Sequence, residues 1–166
     1  MLDILKYTPR FLFFVLFQGL ILNNIQIHGY INPYFYILFL ISSLPCNTKR
    51  EYVLIIAFLL GISIDIFSNT YGMHAFACVT MAFFRPFLIK NFSPIDDYGE
   101  RRPSIAYFGL GAFMRYSFVL ILIHHTSLFL IEFFSFQQIT LLLLRIIFSS
   151  IITFLMIIVV EKFNTK

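Results

Sequence analysis

The sequence predicts an all-α protein, a polytopic membrane bundle of about six transmembrane helices. Of its 166 residues, 60% are hydrophobic and only 12% are charged, whereas a soluble domain is about half apolar and about a quarter charged. The mean hydropathy is +0.88. Apolar residues also surround the helix axis over whole segments, while helices of soluble proteins keep a polar face. We therefore expect these segments to lie in a lipid bilayer.

Six apolar runs are candidate spans, because a spanning helix needs about 20 predominantly apolar residues. They lie at residues 9–27, 33–45, 52–67, 72–89, 105–131 and 139–160. The second run has 13 residues, so we predict that it is tilted, re-entrant or in a locally thinned bilayer. The first run lacks a signal-peptide cleavage site and is predicted to remain as an uncleaved span. The connections are too short for another domain, so residues 1–166 are predicted to form a single integral membrane domain.

Basic residues fall in alternate connections along the chain. The connections at residues 23–32, 68–71 and 132–138 contain no lysine or arginine. The two termini and the other connections contain nine, namely Lys6, Arg10, Lys49, Arg50, Lys90, Arg101, Arg102, Lys162 and Lys166. If the short second run crosses, the positive-inside rule places both termini in the cytoplasm. Topology then accounts for the net charge of +4, and we expect no binding of nucleic acid.

The most informative stretch is at residues 59–86, where two apolar runs flank a short turn that contains Gly72. Asp65 lies near the end of the first run, and a carboxylate inside a membrane persists only where something compensates its charge. It shares a helical face with Ala57 and Gly61, whose small size allows a neighbouring helix to approach closely. Two interpretations of Asp65 remain open. It lies at the outer end of a tight interface, or it caps its helix near the headgroups.

Three arginines lie within or at the ends of apolar runs. Arg85 and Pro86 end the fourth run, where the proline bends or ends the helix and the arginine anchors at lipid phosphates or binds a partner. Arg115 lies about ten residues into the fifth run, close to mid-bilayer, where reaching a phosphate is hardest. Arg145 lies at the depth of Asp65, so these two residues are predicted to pair.

The histidines do not predict a metal site. His124 and His125 are adjacent, and adjacent helical residues point about 100° apart, so they are poor ligands for the same ion. His74 follows the Gly72 turn and is predicted to bond to Asp65 or to nearby backbone. We predict no bound metal and no cofactor.

The motifs of common enzymes are missing from the sequence. It contains neither the His-Glu-x-x-His helix of metalloproteases nor the Gly-x-Ser-x-Gly turn of hydrolases. It also lacks a glycine-rich loop that would bind phosphate. An intramembrane enzyme would need serine, histidine or acidic groups that converge around a wet cavity, and no pattern indicates this. We therefore predict that the chain has no catalytic residues and is not an enzyme.

The run GISIDIFSNTYGMHA at residues 61–75, followed by Arg85–Pro86, resembles the rod shape-determining protein family MreD, in its Bacteroidetes-like form. The motif positions that carry over are Gly61, Asp65, Gly72, His74, Arg85 and Pro86. The resemblance implies a multi-pass subunit of the bacterial cytoplasmic (inner) membrane that supports cell shape and lateral peptidoglycan synthesis. It also implies a bitopic MreC-like partner and, indirectly, MreB-like filaments and peptidoglycan synthases.

The resemblance implies a fold similar to the substrate-binding subunits of energy-coupling-factor vitamin transporters. This leaves an alternative open, a small-molecule-binding membrane subunit of a vitamin-type transporter, which six spans with polar residues in their outer halves also favour. For the scaffold hypothesis, Arg115 and Arg145 join the six motif positions as residues predicted to serve packing or partner contacts.

Overall fold

The structure is a computed structural model that describes residues 4–25, 32–93, 100–133 and 139–164. The regular elements in these residues are all helical, which confirms the predicted all-α class. The end of the first predicted span (residues 26–27) lies outside the described residues. So do parts of the connections after the fourth run (residues 94–99) and before the sixth run (residues 134–138). The α-helices are α1 (Ile4–Leu20), α2 (Arg50–Ser68), α3 (Met73–Phe92), α4 (Ile105–Phe108), α5 (Leu110–Glu132) and α6 (Ile139–Phe163).

Four of the described helices, α2, α3, α5 and α6, are long and apolar enough to cross a membrane. This is compatible with a multi-pass membrane protein. The predicted count of six spans is not confirmed, because α1 has only 17 residues and the second apolar run forms no long helix. The predicted bounds of the four long spans otherwise lie close to the observed ones, with one exception in the fifth run.

Helices α2 and α3 form an antiparallel hairpin, and α3 also packs against α5. Helix α6 packs on the other side of α5, and α1 packs against α2. We call the end of the bundle at the α2–α3 turn, residues 69–72, the hairpin end. The opposite end contains Arg10, Arg101 and Arg102 and is called the basic end.

Residues 33–46, which we call the central segment, run through the interior of the bundle. A 3-10 turn at Phe35–Ile37 is followed by a π-helical turn at Phe39–Ser43, so the segment is a broken helix. None of residues 34–41 is more than 7% exposed. The segment starts beside α1 near the hairpin end and reaches the basic end, where the Cys46 N–H donates to the Arg101 carbonyl at 2.8 Å.

Two helix bounds differ from the prediction. Helix α3 continues through Pro86 to Phe92, past the predicted bound at residue 89, so the proline does not end it. In the fifth run, Gly109 adopts φ 77° and separates the short α4 from α5. That left-handed conformation is open to glycine at no steric cost. Because of the break the long helix starts at Leu110, which places Arg115 toward the basic end of α5.

Candidate functional site: buried polar groups around the central segment

The central segment is not a regular α-helix, so some of its backbone groups need polar side chains as hydrogen-bond partners. Irregular backbone at membrane depth is tolerated only where protein or water satisfies its N–H and C=O groups. The central segment is enclosed by helices, so the backbone groups that its own short helical turns leave unpaired need partners from those helices. Side chains from α1, α3, α5 and α6 supply these partners, and together they form the candidate site.

Arg85 binds the carbonyls at the end of the central segment nearest the basic end. Its Nε donates to the Leu40 carbonyl at 2.8 Å and its Nη2 to the Leu44 carbonyl at 2.6 Å. Both terminal nitrogens also lie 3.4 Å from the Pro45 carbonyl. Arg85 is 1% exposed, so it does not reach lipid phosphates as one interpretation of the sequence held. The planar fork of arginine suits it to bind several carbonyls at once.

Tyr116, Gln18 and Thr153 also contact the backbone of the central segment. The Thr153 hydroxyl of α6 accepts from the Tyr34 N–H at 3.1 Å. The Tyr116 hydroxyl donates to the Ile41 carbonyl at 3.1 Å. Gln18 Oε1 accepts from the Phe35 N–H at 2.8 Å, and Gln18 Nε2 donates to the Pro33 carbonyl at 3.1 Å. Gln18 is 1% exposed. Gln18 therefore binds the backbone at the start of the central segment, and Arg85 binds the backbone at its end.

Asp65 caps the start of α3 from the preceding helix. Its two carboxylate oxygens accept hydrogen bonds from the backbone N–H groups of His74 and Ala75, each at 3.0 Å. The Thr70 hydroxyl donates to the same carboxylate at 2.6 Å. Asp65 is only 5% exposed and lies at the end of the close α2–α3 contact, as one interpretation held. It also acts as a cap, but on the next helix and not on its own as the other interpretation held. The carboxylate favours a helix N-terminus because free N–H groups and the helix dipole are there.

The predicted pair between Asp65 and Arg145 is wrong. Arg145 Nη1 instead lies 3.1 Å from Glu132 Oε1, in a partly exposed ion pair between α6 and α5. The Asp65 carboxylate already accepts three hydrogen bonds from the α2–α3 hairpin and needs no cation. Arg115 is exposed, with its guanidinium carbon 5.8 Å from the centre of the Phe92 ring. It lies in the second turn of α5, nearer the end of a helix than the sequence predicted.

Gly61 lies at a close approach of α2 to α3, as the small-residue pattern predicted. A Cβ atom at Gly61 would lie 2.4 Å from the Ala75 Cα atom. Ala57, one turn earlier on the same face, is fully buried. Gly72 has a different role, since its φ of 87° forms the turn into α3 and a Cβ there would meet nothing within 4 Å. Pro86 is partly buried within α3.

A cluster of three histidines and two tyrosines lies between the central segment, α3 and α5. The Tyr36 hydroxyl is 2.9 Å from His74 Nδ1 and 2.8 Å from His124 Nε2. A hydroxyl has one proton, so it donates to one histidine and accepts from the other, which must carry its proton on that nitrogen. His125 Nδ1 is 2.9 Å from the Ile121 carbonyl. The Tyr34 ring packs against all three imidazoles.

The side chains of His124 and His125 point to different partners, in agreement with the geometry of neighbouring residues on a helix. His124 points to Tyr36, whereas His125 Nε2 lies 3.4 Å from the Thr153 hydroxyl of α6. No three histidine, cysteine, aspartate or glutamate side chains converge as metal ligands within the described ranges. Two buried polar atoms in the described part of the chain have no hydrogen-bond partner, His124 Nδ1 and Ser150 Oγ.

A cavity of about 420 Å³ opens at the hairpin end beside this cluster. Tyr34 and His74 contribute to its lining together with amides and hydroxyls such as Asn23, Asn32 and Thr70. Glu132, the partner of Arg145, also lines it. Most of the lining side chains that could bind a ligand are therefore neutral hydrogen-bonding groups.

Sequence reasoning identified the residues of the α2–α3 hairpin, including Arg85, and missed the other side chains around the central segment. Gln18, Tyr36, Tyr116 and Thr153 were not among the predicted site residues. The signal for Gln18 was available, because it is the one amide within the first apolar run before Asn23. Tyr36 and Tyr116 gave no signal, since tyrosine is expected near any membrane interface.

Compared with protein-family models, with curated proteins and with solved structures, the chain has no match.

Proposed function

We propose that the chain is a non-catalytic scaffold subunit of the bacterial cell-elongation complex, located in the inner membrane with both termini in the cytoplasm. In this proposal it binds an MreC-like bitopic protein and thereby supports cell shape and lateral peptidoglycan synthesis. The motif at residues 61–86 supports it, together with the alternation of basic and uncharged connections.

The hydrogen bonds of the motif residues give the proposal its strongest support. The polar atoms of the motif residues are engaged in holding helices together, since Asp65 binds the start of α3 and Arg85 binds the central segment. Gly61 allows α2 and α3 to touch. A rigid framework of this kind suits a subunit that presents a fixed surface to a partner. It follows that substitutions at these positions act on assembly through the fold and not by removing a direct contact.

The test is recovery of the partner from native membranes. The tagged chain is solubilised in mild detergent, and co-purifying proteins are identified by mass spectrometry. We expect a protein with one membrane helix and a periplasmic coiled coil, and we expect depletion of the chain to turn rod-shaped cells round. A stable preparation that recovers no such protein, with cell shape unchanged on depletion, would contradict the proposal.

A second candidate function is a small-molecule-binding subunit of a vitamin-type transporter. The cavity of about 420 Å³ at the hairpin end favours it, since ligand sites commonly have volumes of about 300–1,000 Å³. Thermal-shift screening of vitamins on the purified protein tests it. A true ligand should stabilise the wild type and lose its effect in Asn32→Ala, whose side chain lines the cavity. Stabilisation by no compound would argue against this candidate.

A further inference from the structure

A second cavity, of about 660 Å³, lies at the basic end, where α1 and α6 flank the central segment. Arg10 of α1 and the consecutive Arg101 and Arg102 line it. All three arginines are exposed, so their guanidinium groups are open to solvent. The proposed scaffold function uses none of these residues.

The charges in this cavity favour an anion. Glu100 and Glu161 also line it, so three guanidinium groups face two carboxylates and the lining has one net positive charge. The two signs are not equally accessible. Glu161 is only 6% exposed and interacts electrostatically with Arg102 and Arg10, so three exposed guanidinium groups face one exposed carboxylate, that of Glu100. The accessible charge at the opening is therefore mainly that of the arginines.

Arginine geometry in the cavity suits a phosphate group. The Arg101 guanidinium carbon lies 5.2 Å from the centre of the Tyr107 ring. A guanidinium that packs over a ring keeps its N–H donors directed outward in its own plane. Paired N–H donors of this kind bind phosphate oxygens through two parallel hydrogen bonds.

The cavity also has an apolar wall, which a site for a free anion does not need. Phe13 and Phe14 of α1, Leu38 of the central segment and Val160 of α6 line it. Phe13 is 57% exposed, so this wall is continuous with the apolar outer surface of α1. Helix α1 packs against α2, and α6 packs against α5. Residues of both α1 and α6 line the cavity.

We propose that this cavity binds the headgroup of an anionic phospholipid. The phosphate lies among Arg10, Arg101 and Arg102, and an acyl chain follows the apolar wall between α1 and α6. Basic pockets between membrane helices commonly bind anionic headgroups in this way. The inference requires only that the chain lies in a membrane, and it does not depend on the proposed scaffold function.

Native mass spectrometry of the protein in a neutral detergent tests the proposal by titration with phosphatidylglycerol, phosphatidylcholine or inorganic phosphate. We expect one high-affinity site for phosphatidylglycerol. Substitution of Arg101→Gln together with Arg102→Gln should weaken this binding roughly thirtyfold. The matched control is Lys49→Gln with Lys90→Gln, which removes the same charge from exposed positions outside the cavity. The control should bind phosphatidylglycerol like the wild type.

Three outcomes would overturn the proposal. They are an equal loss of affinity in the lysine control, equal affinity for phosphatidylcholine, and binding of inorganic phosphate as tight as that of the lipid. Phe13→Ser should weaken lipid binding and leave phosphate binding unchanged. If the double arginine variant unfolds, Arg10→Gln alone should still weaken phosphatidylglycerol binding about fivefold, and an unchanged affinity in that variant would equally refute the proposal.

Discussion

At the hairpin end, the buried carboxylate of Asp65 accepts hydrogen bonds from the first N–H groups of α3, whereas nearer the basic end the buried guanidinium of Arg85 donates to the last carbonyls of the central segment. The two side chains are 5% and 1% exposed. Neither forms an ion pair among the described residues. An ionised side chain is stabilised in each case by backbone groups at the end of a helix.

The comparison shows that a helix end inside a membrane bundle can be stabilised by a single ionised residue of the appropriate sign. Negative charge is favourable at a helix N-terminus and positive charge at a C-terminus, because the unpaired N–H and C=O groups there carry opposite partial charges. The two sites differ in how far each side chain lies, along the sequence, from the backbone groups that it binds. Asp65 acts on residues nine and ten positions later, whereas Arg85 acts on carbonyls 40 to 45 positions earlier.

The largest expected effect follows from removing the guanidinium. Arg85→Leu removes the guanidinium donors of the Leu40 and Leu44 carbonyls in the protein interior, while the Pro45 carbonyl keeps its contact with Thr48. We expect a loss of about 3–5 kcal/mol of stability. Arg85→Lys should lose less, because an ammonium group can still bind some of these carbonyls. Unfolding in mixed micelles with increasing denaturing detergent measures both variants.

The matched control for Arg85 is Arg115→Leu. Arg115 is exposed and contacts only an aromatic ring in the described interactions, so its loss should change stability by about 0.5 kcal/mol or less. Equal destabilisation by the two leucine variants would mean that the carbonyl contacts of Arg85 do not stabilise the fold.

A second test asks whether the hairpin end depends on close packing as well as on the Asp65 cap. Gly61→Ala places a methyl group 2.4 Å from the Ala75 Cα atom, and backbone cannot move aside without separating α2 from α3. We expect a loss of about 1–3 kcal/mol. Gly111→Ala is the control, because a Cβ there meets nothing within 4 Å and alanine favours the helix by about 0.5–1 kcal/mol. The two alanine variants should therefore shift the unfolding midpoint in opposite directions.

The Asp65 cap itself is tested by a graded pair of substitutions. Asp65→Ala removes every acceptor of the His74 and Ala75 N–H groups, and we expect a loss of about 1–2 kcal/mol. Asp65→Asn keeps one acceptor and should lose less. Hydrogen exchange of these two amides should rise in the order wild type, asparagine variant, alanine variant. Unchanged exchange in the alanine variant would show that the cap does not stabilise the start of α3.

The hairpin could be predicted from the sequence because its determinants are local. Gly61 and Asp65 lie on one helical face, and a turn with glycine follows within a few residues. Helical spacing and the behaviour of small residues in membranes then give the close approach of the helices. The partner of Asp65 was predicted incorrectly, since matching depths along two helices do not specify which residues meet. Two of the three observed partners are backbone N–H groups of the next helix, which no pattern of side chains reveals, and the third is the Thr70 hydroxyl.

The central segment could not be predicted, because its hydrogen bonds join residues far apart in sequence. Its 13-residue run was recognised as too short for an ordinary span, and that property follows from length alone. Its broken geometry depends on Gln18, Arg85 and Tyr116, which come from three different helices. A single sequence does not show which distant side chain replaces a missing backbone hydrogen bond.

The smallest expected effect concerns the hydroxyl of Tyr36, an uncharged group between the sites of Asp65 and Arg85. Tyr36→Phe removes the hydroxyl between His74 and His124 while the fully buried ring remains, so we expect a loss of about 1 kcal/mol. The matched control is Tyr52→Phe, since Tyr52 is 46% exposed and water replaces its lost contact. Nitrogen NMR of labelled histidine should also detect a change at His74 Nδ1 and His124 Nε2 in the Tyr36 variant alone. If stability and both nitrogen signals stay at their wild-type values, the hydroxyl does not join the two imidazoles, and the folded interior depends on its charged helix ends and on packing.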